Sequence, residues 1–303
     1  MLQKQNFKSK MKKLGFIGLG IMGEMMAKRL LNNGFELVIY NRTKDKISKL
    51  DVSGFTIANS PSEVAKNCDV VISMLADSRA VEEVVFGTNG IFASIREGLI
   101  HIDMSTISPA TTKKLYNEYK SHKSYFIHAP VLGSKTQAGD GTLLIFAGGD
   151  KEAIEKCEEI FKVLGKRLWI FDSVEKATNL KLAMNSMIAT MIIALSQAFV
   201  LAEKSGISKE TVLEVLENSA LNSAMYQSKG KTIIDGNFAP NFYVKHILKD
   251  INLALETGQD LKVPLPILSA IRELYVSAIS KGYENEDYSA VYKVIVEFAG
   301  LKI

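Results

Sequence analysis

Short apolar runs alternate with helical patterns along the first half of the chain. β-Branched and aromatic residues fill the runs, which is typical of strands that are buried on both faces of a sheet. Strand–helix alternation of this kind predicts an α/β fold with a doubly wound, mostly parallel sheet. The predicted strands are 14–18, 36–40, 69–75, 99–104, 125–130, 143–149 and 167–171.

After Ser173 the pattern becomes helical throughout. Residues 175–206 form one long apolar-periodic stretch that ends at Gly206, a residue suited to cap a helix C-terminus. These patterns divide the chain into a basic disordered tail (1–12), an α/β domain (13–174) and an all-helical domain (175–303). The long helix joins the two domains. Further helical patterns cover 208–219, 225–234, 244–258, 266–282 and 288–300.

The composition is that of an ordinary globular protein. The chain has 303 residues, of which 47% are hydrophobic and 23% charged, and this length suits two domains. Its longest apolar runs, such as 187–195, are interrupted and too short to span a bilayer, so no membrane association is expected. Five lysines lie within residues 1–13. The net charge of +4 is therefore mostly a property of the tail, and we expect no nucleic-acid partner.

The first residues and the cysteines favour a cytoplasmic location. Residues 1–13 lack the apolar core of a secretory signal. Cys68 and Cys157 have no partner spacing and are expected to be small buried hydrophobes. The histidines show no metal-ligand spacing, so we expect them to be structural or surface residues and expect no metal site. They are His101, His122, His128 and His246.

A glycine motif joins the first predicted strand to the first helix. Gly18, Gly20 and Gly23 have the spacing G-x-G-x-x-G. In this context the first glycine permits a tight turn, the second lets the backbone approach a pyrophosphate, and the third lets the helix pack on the strand. The helix N-terminus favours the phosphates. The alternative is a glycine-rich turn that binds no ligand. The predicted strand before the motif, and the helix and second strand after it, disfavour this alternative.

The second strand ends at Asn41, Arg42 and Thr43. A site that prefers NAD would place an acid here to accept from the ribose 2′-hydroxyl, and that acid would repel a 2′-phosphate. Asn41 is neutral, Arg42 can pair with a phosphate, and the Thr43 hydroxyl can donate to it. We therefore expect NADP(H) to be preferred over NAD(H). The alternative is that Arg42 is a solvated charge that starts the next helix.

Five motifs occur in an order that resembles the β-hydroxyacid dehydrogenase family. The likeness covers nearly the whole chain from about Lys13 and is greatest for the glyoxylate/succinic semialdehyde reductase branch. It implies an N-terminal Rossmann domain that binds NADP, a helical domain for substrate and oligomerisation, and a homodimer or homotetramer. The motifs are GFIGLGIMG (15–23), DMSTISP (103–109), APVLGSKTQAGDGTL (129–143), NLKLAMN (179–185) and FYVKHILKDINLAL (242–255).

Lys181 and Asn185 lie four residues apart within an apolar helical pattern. They share one helix face, and a lysine among apolar neighbours would lose solvation, which lowers the pKa towards the range that a general acid needs. From these residues alone a snorkelling lysine is equally possible. The resemblance implies that Lys181 is the catalytic acid and that Asn185 holds substrate and lysine.

Ser105 and Thr106 follow a predicted strand at the end where open α/β sheets bind ligands. Either hydroxyl could contact a substrate carboxylate or the nicotinamide ribose. The alternative role is to cap the helix that begins near Pro109, for which Ser108 is the better candidate.

Gly133 and Ser134 resemble the substrate loop of the family, whose backbone N–H groups would bind a carboxylate. Leu132 stands where the family usually has serine, so the loop loses a hydroxyl. Glu175 and Ala177 stand where the family usually has glycines, so the long helix is expected to begin earlier.

The resemblance also implies residues on the helix 244–258 and at other strand ends. Phe242 and Asp250 would line the cleft and Lys249 would approach the cofactor, whereas Lys245 and Lys249 on their own suggest a solvated helix face. Met74 and Leu75 would touch adenosine or ribose. The full set of implied cofactor contacts is Gly18, Leu19, Gly20, Ile21, Met22, Gly23, Asn41, Arg42, Thr43, Met74, Leu75, Thr106 and Lys249.

The expected activity is NADPH-dependent reduction of a small aldehyde or keto acid that carries a carboxylate, of the glyoxylate or succinic semialdehyde type. This is an oxidoreductase acting on the CH–OH group of the hydroxy-acid product. One alternative is oxidation of a 3-hydroxy acid by the same site. An alternative of another class is a non-catalytic NADP-binding or assembly module, which the presence of Lys181 and Asn185 disfavours.

Overall fold

The protein was analysed as a computed structural model that describes residues 13–302, so the predicted tail (1–12) lies outside the described residues. The chain divides into two compact units between Lys181 and Leu182. The division falls inside one continuous helix, Val174–Lys204, that begins in the first unit and continues into the second.

The N-terminal unit is built on one nine-stranded sheet. Its strands lie in the order β3-β2-β1-β4-β5-β6-β8-β7, and β9 pairs with β8. Strands β1 to β6 are parallel, β8 is antiparallel to β6 and β7, and β9 is parallel to β8. The order 3-2-1-4-5-6 is that of the Rossmann fold, which confirms the predicted class. The strands are β1 Lys13–Ile17, β2 Glu36–Tyr40, β3 Phe55–Ile57, β4 Val70–Ser73, β5 Ile100–Asp103, β6 Tyr125–His128, β7 Val131–Leu132, β8 Leu143–Gly148 and β9 Gly165–Phe171.

Two of these strands, β3 and β7, were not predicted from the sequence. They have only three and two residues. Runs this short show neither alternation nor a distinct apolar stretch, so their pairing depends on the neighbouring strands.

Eight helices of the N-terminal unit follow the sheet strands. Several begin where the sequence supplies a cap: the side chains of Ser60, Asp77 and Ser108 each accept a bond from a backbone N–H in the first turn of their helix. The helices are α1 Ile21–Asn32, α2 Asp45–Ser48, α3 Pro61–Asn67, α4 Ser78–Phe86, α5 Pro109–Ser121, α6 Lys135–Asp140, α7 Lys151–Lys156 and α8 Glu158–Leu164, with a 3₁₀ turn at Ile91–Ser94.

The C-terminal unit is helical, as predicted, and no strand occurs in its described residues apart from a single bridge between Tyr243 and Asp287. Gly206 adopts φ +76° just after the long helix and so provides the expected cap. The core is one apolar cluster that includes Phe199 and Tyr275. The helices are α9 Val174–Lys204, α10 Lys209–Glu217, α11 Ala224–Ile234, α12 Val244–Asp260, α13 Pro266–Ser280 and α14 Val291–Phe298, with a 3₁₀ turn at Tyr288–Ala290.

Helix α9 is long and apolar enough, by length and composition alone, to cross a membrane. The apolar run 187–195 did not indicate this, because the apolar stretch of α9 is 18 residues long and includes more than that run. Core helices of globular proteins can be equally long and apolar, and 44% of the most apolar stretch of α9 is buried. One helix of this kind is weak evidence for a membrane span.

Candidate active site

The turn between β1 and α1 needs two of its three glycines for packing. Gly18 has φ +100°, and a Cβ atom there would lie 2.4 Å from the carbonyl oxygen of Met74. A Cβ atom at Gly23 would lie 2.0 Å from the carbonyl oxygen of Gly18. Both distances are far inside van der Waals contact, so only glycine allows the turn and the close approach of helix to strand.

Gly20 is different, because no packing contact among the described residues requires a glycine there. It is exposed at the N-cap of α1, and apart from its chain neighbours no atom of residues 13–302 lies within 4 Å of the position of its Cβ. The space lies in front of the first N–H groups of a 12-residue helix, at Ile21, Met22 and Gly23. Such groups lack partners within the helix and favour an anion. The turn therefore fits the pyrophosphate of a dinucleotide.

Asn41 ties this turn to the end of β2. Its Oδ1 accepts the N–H of Leu19 at 2.8 Å, and its Nδ2 donates to the carbonyl oxygen of Thr43 at 2.7 Å. The sequence predicted Asn41 only as a neutral substitute for an acid. Arg42 and Thr43 are exposed, and no described residue pairs with the guanidinium of Arg42, which is therefore available to an anion.

A chain of buried hydrogen bonds lies at the carboxyl ends of β4, β5 and β6. Ser73, Asp103 and His128 are paired in register across the three strands and are fully buried. The hydroxyls of Ser73 and Ser105 both donate to Asp103 Oδ1 at 2.7 Å. Ser105 Oγ in turn accepts the N–H of Leu75 at 2.9 Å.

The other end of this chain reaches Tyr119. Since Ser73 donates its proton to Asp103, its Oγ accepts from His101 Nε2 at 2.8 Å, and His101 Nδ1 accepts from the hydroxyl of Tyr119 at 2.8 Å. All donors thus point towards Asp103. On the far side, His128 Nδ1 lies 3.3 Å from Asp103 Oδ2.

The protonation states agree with this direction. Burial lowers the pKa of His101 to about 4, so its ring is neutral at pH 7. Burial alone would raise the pKa of Asp103, but its interactions with His128, His101 and Ser73 outweigh burial and hold that pKa below its usual value. Asp103 is therefore an ionised carboxylate within the sheet.

The sequence did not predict this group. Only Ser105 was singled out, and His101 and His128 were expected to be structural or surface residues. A signal was available, because the polar residues Ser73, Asp103 and His128 each end an apolar strand, and the ends of parallel strands meet at one edge.

The predicted substrate loop lies before α6. Thr106 is half-buried, whereas Ser105 is fully buried and its hydroxyl is used within the unit. Gly133 is exposed with φ +148°. The N–H of Ser134 donates to Gln137 Oε1 at 2.9 Å, so part of the proposed anion cradle already has an internal acceptor. Leu132 pairs with Leu144 in the sheet.

Lys181 lies on α9 with only 7% of its surface exposed. The helix begins at Val174 and runs without a break through Glu175 and Ala177. One turn beyond Lys181, Asn185 is also buried, and its Nδ2 donates to Asp250 Oδ2 at 2.6 Å.

Helix α12 supplies the partners of Asn185. Lys249 Nζ lies 2.8 Å from Asp250 Oδ1, so the structure brings together three of the predicted residues, Asn185, Lys249 and Asp250. The ring of half-buried Phe242 packs against Tyr288, and Lys245 is exposed and donates to Asn285. Among residues 13–302 no group of histidine, cysteine and acidic side chains could hold a metal ion.

The Rossmann sheet, the open helix N-terminus and the glycine turn define a dinucleotide-binding protein. Two family models match consecutive parts of the chain. One is described as the NAD-binding domain of 6-phosphogluconate dehydrogenase and covers residues 13–174, and the other as the NAD-binding domain of NADP-dependent 3-hydroxyisobutyrate dehydrogenase and covers residues 176–295.

Related protein sequences align with nearly the whole chain. Glyoxylate/succinic semialdehyde reductase 1 of Arabidopsis thaliana is 39% identical over 282 residues, which are 93% of this chain and 98% of the plant protein. An uncharacterised oxidoreductase of Bacillus subtilis is 36% identical over 94% of this chain and 99% of its own. The cytokine-like nuclear factor N-PAC of Xenopus tropicalis is 33% identical over 94% of this chain, which spans 53% of that protein.

Solved structures agree with these relatives. The 3-hydroxyisobutyrate dehydrogenase of Salmonella typhimurium superposes with a TM-score of 0.85 at 25% identity, over 93% of this chain and 99% of the other. That of Mycobacterium tuberculosis, solved with L-serine, has a TM-score of 0.83 at 25% identity, over 94% and 99%. The chain belongs to the β-hydroxyacid dehydrogenase family, in its glyoxylate/succinic semialdehyde reductase branch, and is an NAD(P)-dependent hydroxyacid oxidoreductase.

Proposed function

We propose that this protein reduces a small aldehyde or keto acid with NADPH, with Lys181 as the general acid. The supporting observation is the burial of Lys181 on α9, one turn before an asparagine that is itself held by Asp250. Lys181 is only 7% exposed, and a lysine that is shielded from bulk water suits the role of a positioned proton donor. The relative from Arabidopsis thaliana, named for glyoxylate and succinic semialdehyde, supports the substrate class.

The proton and the hydride have separate sources. A dinucleotide held by the glycine turn would supply the hydride for the carbonyl carbon. Lys181 gives a proton from Nζ to the carbonyl oxygen, so one N–H bond breaks while one O–H bond forms. The bond from Asn185 Nδ2 to Asp250 fixes which way the amide of Asn185 points, and this orders the surroundings of the acid.

The substrate carboxylate is assigned to the backbone of Gly133 and Ser134 and to the hydroxyl of Thr106, which requires the N–H of Ser134 to exchange its acceptor Gln137 for the carboxylate. Gly133 is exposed and Thr106 is half-buried, so both can reach a ligand. Ser105 is fully buried, and in this proposal its role is to position the neighbouring backbone. Phe242 is assigned to the apolar wall.

The preference for NADPH rests on Arg42. Its guanidinium is exposed and no described residue pairs with it, while Asn41 avoids the repulsion that an acid would exert on a 2′-phosphate. Arg42→Ala should weaken NADPH binding about tenfold, as expected for one charge-assisted contact, and leave NADH binding unchanged. Equal losses for both cofactors would contradict the preference.

The decisive experiment measures NADPH oxidation with glyoxylate, succinic semialdehyde and related short acids, with NADH in parallel. Lys181→Met should lower turnover about 10²- to 10⁴-fold while the dissociation constant of NADPH stays within about twofold. Lys176→Met is the matched control, because Lys176 lies on the same helix but is exposed and paired with Asp172 at 2.7 Å. A fully active Lys181→Met variant would sink the assignment.

The reverse reaction is tested with the same protein. The Mycobacterium tuberculosis relative was solved with L-serine, a 3-hydroxy acid, so a 3-hydroxy acid with NADP⁺ is included. Faster turnover in that direction at pH 7 would make oxidation the main activity. Tight NADPH binding with no turnover of any acid in either direction would favour the non-catalytic module instead.

A further inference from the structure

The Asp103 hydrogen-bond chain ends on the turn after β4. Leu75 donates its N–H to Ser105 Oγ, and Ser105 donates its proton to Asp103 Oδ1. The preceding residue, Met74, donates its N–H to the carbonyl oxygen of Ile17 at 2.9 Å. The turn is therefore held from two sides, by β1 and by Ser105.

This turn limits the space beside Gly18 of the glycine motif. The carbonyl oxygen of Met74 is the atom nearest to the position of a Cβ at Gly18, at 2.4 Å, and Leu75 Cδ2 follows at 2.8 Å. The backbone of Gly18 and the peptide between Met74 and Leu75 are thus in close contact. A shift of that peptide would either push Gly18 or open a gap beside it.

A carboxylate suits this task better than a neutral group. An ionised carboxylate only accepts hydrogen bonds, so it forces the hydroxyl protons of Ser73 and Ser105 to point towards it. The lone pairs of Ser105 Oγ are then left for the N–H of Leu75. A donor group in place of Asp103 Oδ1, the oxygen that accepts from both serines, would remove this direction.

We propose that Asp103 is a positioning residue for the cofactor site, which acts through Ser105 to hold the Met74–Leu75 turn against the glycine motif. Asp103 and Ser105 are both fully buried and act without touching the dinucleotide. The inference depends on the proposed function only in that the ligand is NADP(H).

Ser73 and Ser105 offer a matched pair of variants. Each is a fully buried serine whose hydroxyl donates to the same oxygen, Asp103 Oδ1, at 2.7 Å. Only Ser105 also accepts the N–H of Leu75. Ser105→Ala and Ser73→Ala therefore remove the same bond to Asp103, but only the first breaks the connection to the turn.

The test measures the dissociation constants of NADPH and NADP⁺ by isothermal titration calorimetry, with no acid substrate present. Ser105→Ala should weaken binding about tenfold, which is about 1.4 kcal/mol, and should speed deuterium exchange in residues 74–77. Ser73→Ala should stay within about twofold in affinity, whatever its effect on melting temperature. Equal affinity losses in both variants, or none in Ser105→Ala, would overturn the proposal.

Position 103 gives an independent check with two further variants. Asp103→Asn keeps an acceptor for both serines and should lose at most about threefold in NADPH affinity, because a neutral acceptor bonds more weakly. Asp103→Val has a similar shape but no acceptor, and should match the tenfold loss of Ser105→Ala. If Asp103→Val does not fold, the serine pair still decides.

These results separate the inference from the proposed function. Failure of the unaltered protein to bind NADPH or NADP⁺ would refute the proposed function and this inference with it. Tight binding by the unaltered protein and by Ser105→Ala alike would refute only the role of Asp103.

Discussion

The two units hold buried carboxylates in different ways. In the N-terminal unit, Asp103 is held by two serine hydroxyls, with His128 at a longer distance. In the C-terminal unit the two buried carboxylates each lie beside a lysine. Lys249 Nζ is 2.8 Å from Asp250, and Lys229 Nζ is 2.7 Å from Asp287.

Strand spacing explains the hydroxyl partners of Asp103. Neighbouring strands lie about 4.8 Å apart, so short side chains on three strand ends reach one carboxylate. In the C-terminal unit the carboxylates also accept hydrogen bonds from dipoles, since Asn185 donates to Asp250 and the N–H groups of Asn241 and Ser289 donate to Asp287. The difference between the units is therefore that a lysine lies beside each of these two carboxylates, whereas the hydrogen-bond donors to Asp103 are serine hydroxyls.

This contrast implies different costs when a partner is lost. Removal of a lysine leaves a buried carboxylate without that counter-charge, so that only dipole donors hold it. Removal of one hydroxyl beside Asp103 leaves the other donor in place. The predictions below test this, from the largest change in the free energy of unfolding to the smallest.

Lys229→Met should destabilise the C-terminal unit by about 3–5 kcal/mol, because Asp287 is fully buried and would lose its counter-charge. Chemical denaturation followed by circular dichroism measures the loss. Lys231→Met, at an exposed position on the same helix, should change stability by less than about 0.5 kcal/mol. A loss below about 1 kcal/mol for Lys229→Met would show that the cation is not needed.

The N-terminal unit should lose stability as the pH falls from 6.5 to about 4 because of His101. Its pKa is 6.5 when exposed and about 4 in the folded protein. In this window the unfolded chain binds a proton that the folded protein does not, so unfolding becomes more favourable, by up to about 3 kcal/mol. Above pH 6.5 both states are neutral and the effect is absent.

The variant His101→Gln isolates this effect, because glutamine can donate and accept at the same site but does not titrate. Unfolding curves at several pH values should show a smaller loss of stability between pH 6.5 and 4 than the unaltered protein shows. His122→Gln, at an exposed histidine, is the control and should follow the unaltered protein. Parallel curves for all three proteins would mean that His101 is not buried in its neutral form.

Ser73→Ala should cost about 2 kcal/mol, since it leaves the buried His101 Nε2–H without its acceptor while Ser105 still donates to Asp103. Urea unfolding at pH 7 measures this loss. The comparison between the units requires that this cost be smaller than that of Lys229→Met. A reversed order would refute it.

Gly20→Ala should be the mildest change in stability, within about 0.5 kcal/mol, because in the described part of the chain the added Cβ meets no atom within 4 Å beyond its chain neighbours. Cofactor affinity should nevertheless fall at least about tenfold, since the methyl group would occupy the space in front of the helix N-terminus. Thermal unfolding and NADPH titration of the same sample check both. Unchanged affinity would place the pyrophosphate elsewhere.

Most of the architecture could be predicted from the sequence. The strand–helix alternation, the glycine turn and the change to all-helical pattern after Ser173 are local features, and local apolar periodicity carries them. Strands β3 and β7 could not be predicted because two or three residues show no period. Lys181 was found because a charge stands out in an apolar helix, although its role as an acid stays a prediction.

The sequence by itself determined most of the segments that become strands and helices, and which residues are out of place in them. Only the tertiary structure decided the partners: Asn41 with Leu19, Ser105 with Leu75, and Asn185 with Asp250. These bonds join residues that are distant in the chain, and their formation depends on strand register and helix packing. Periodicity describes one segment at a time, so it contains no information about which two segments meet.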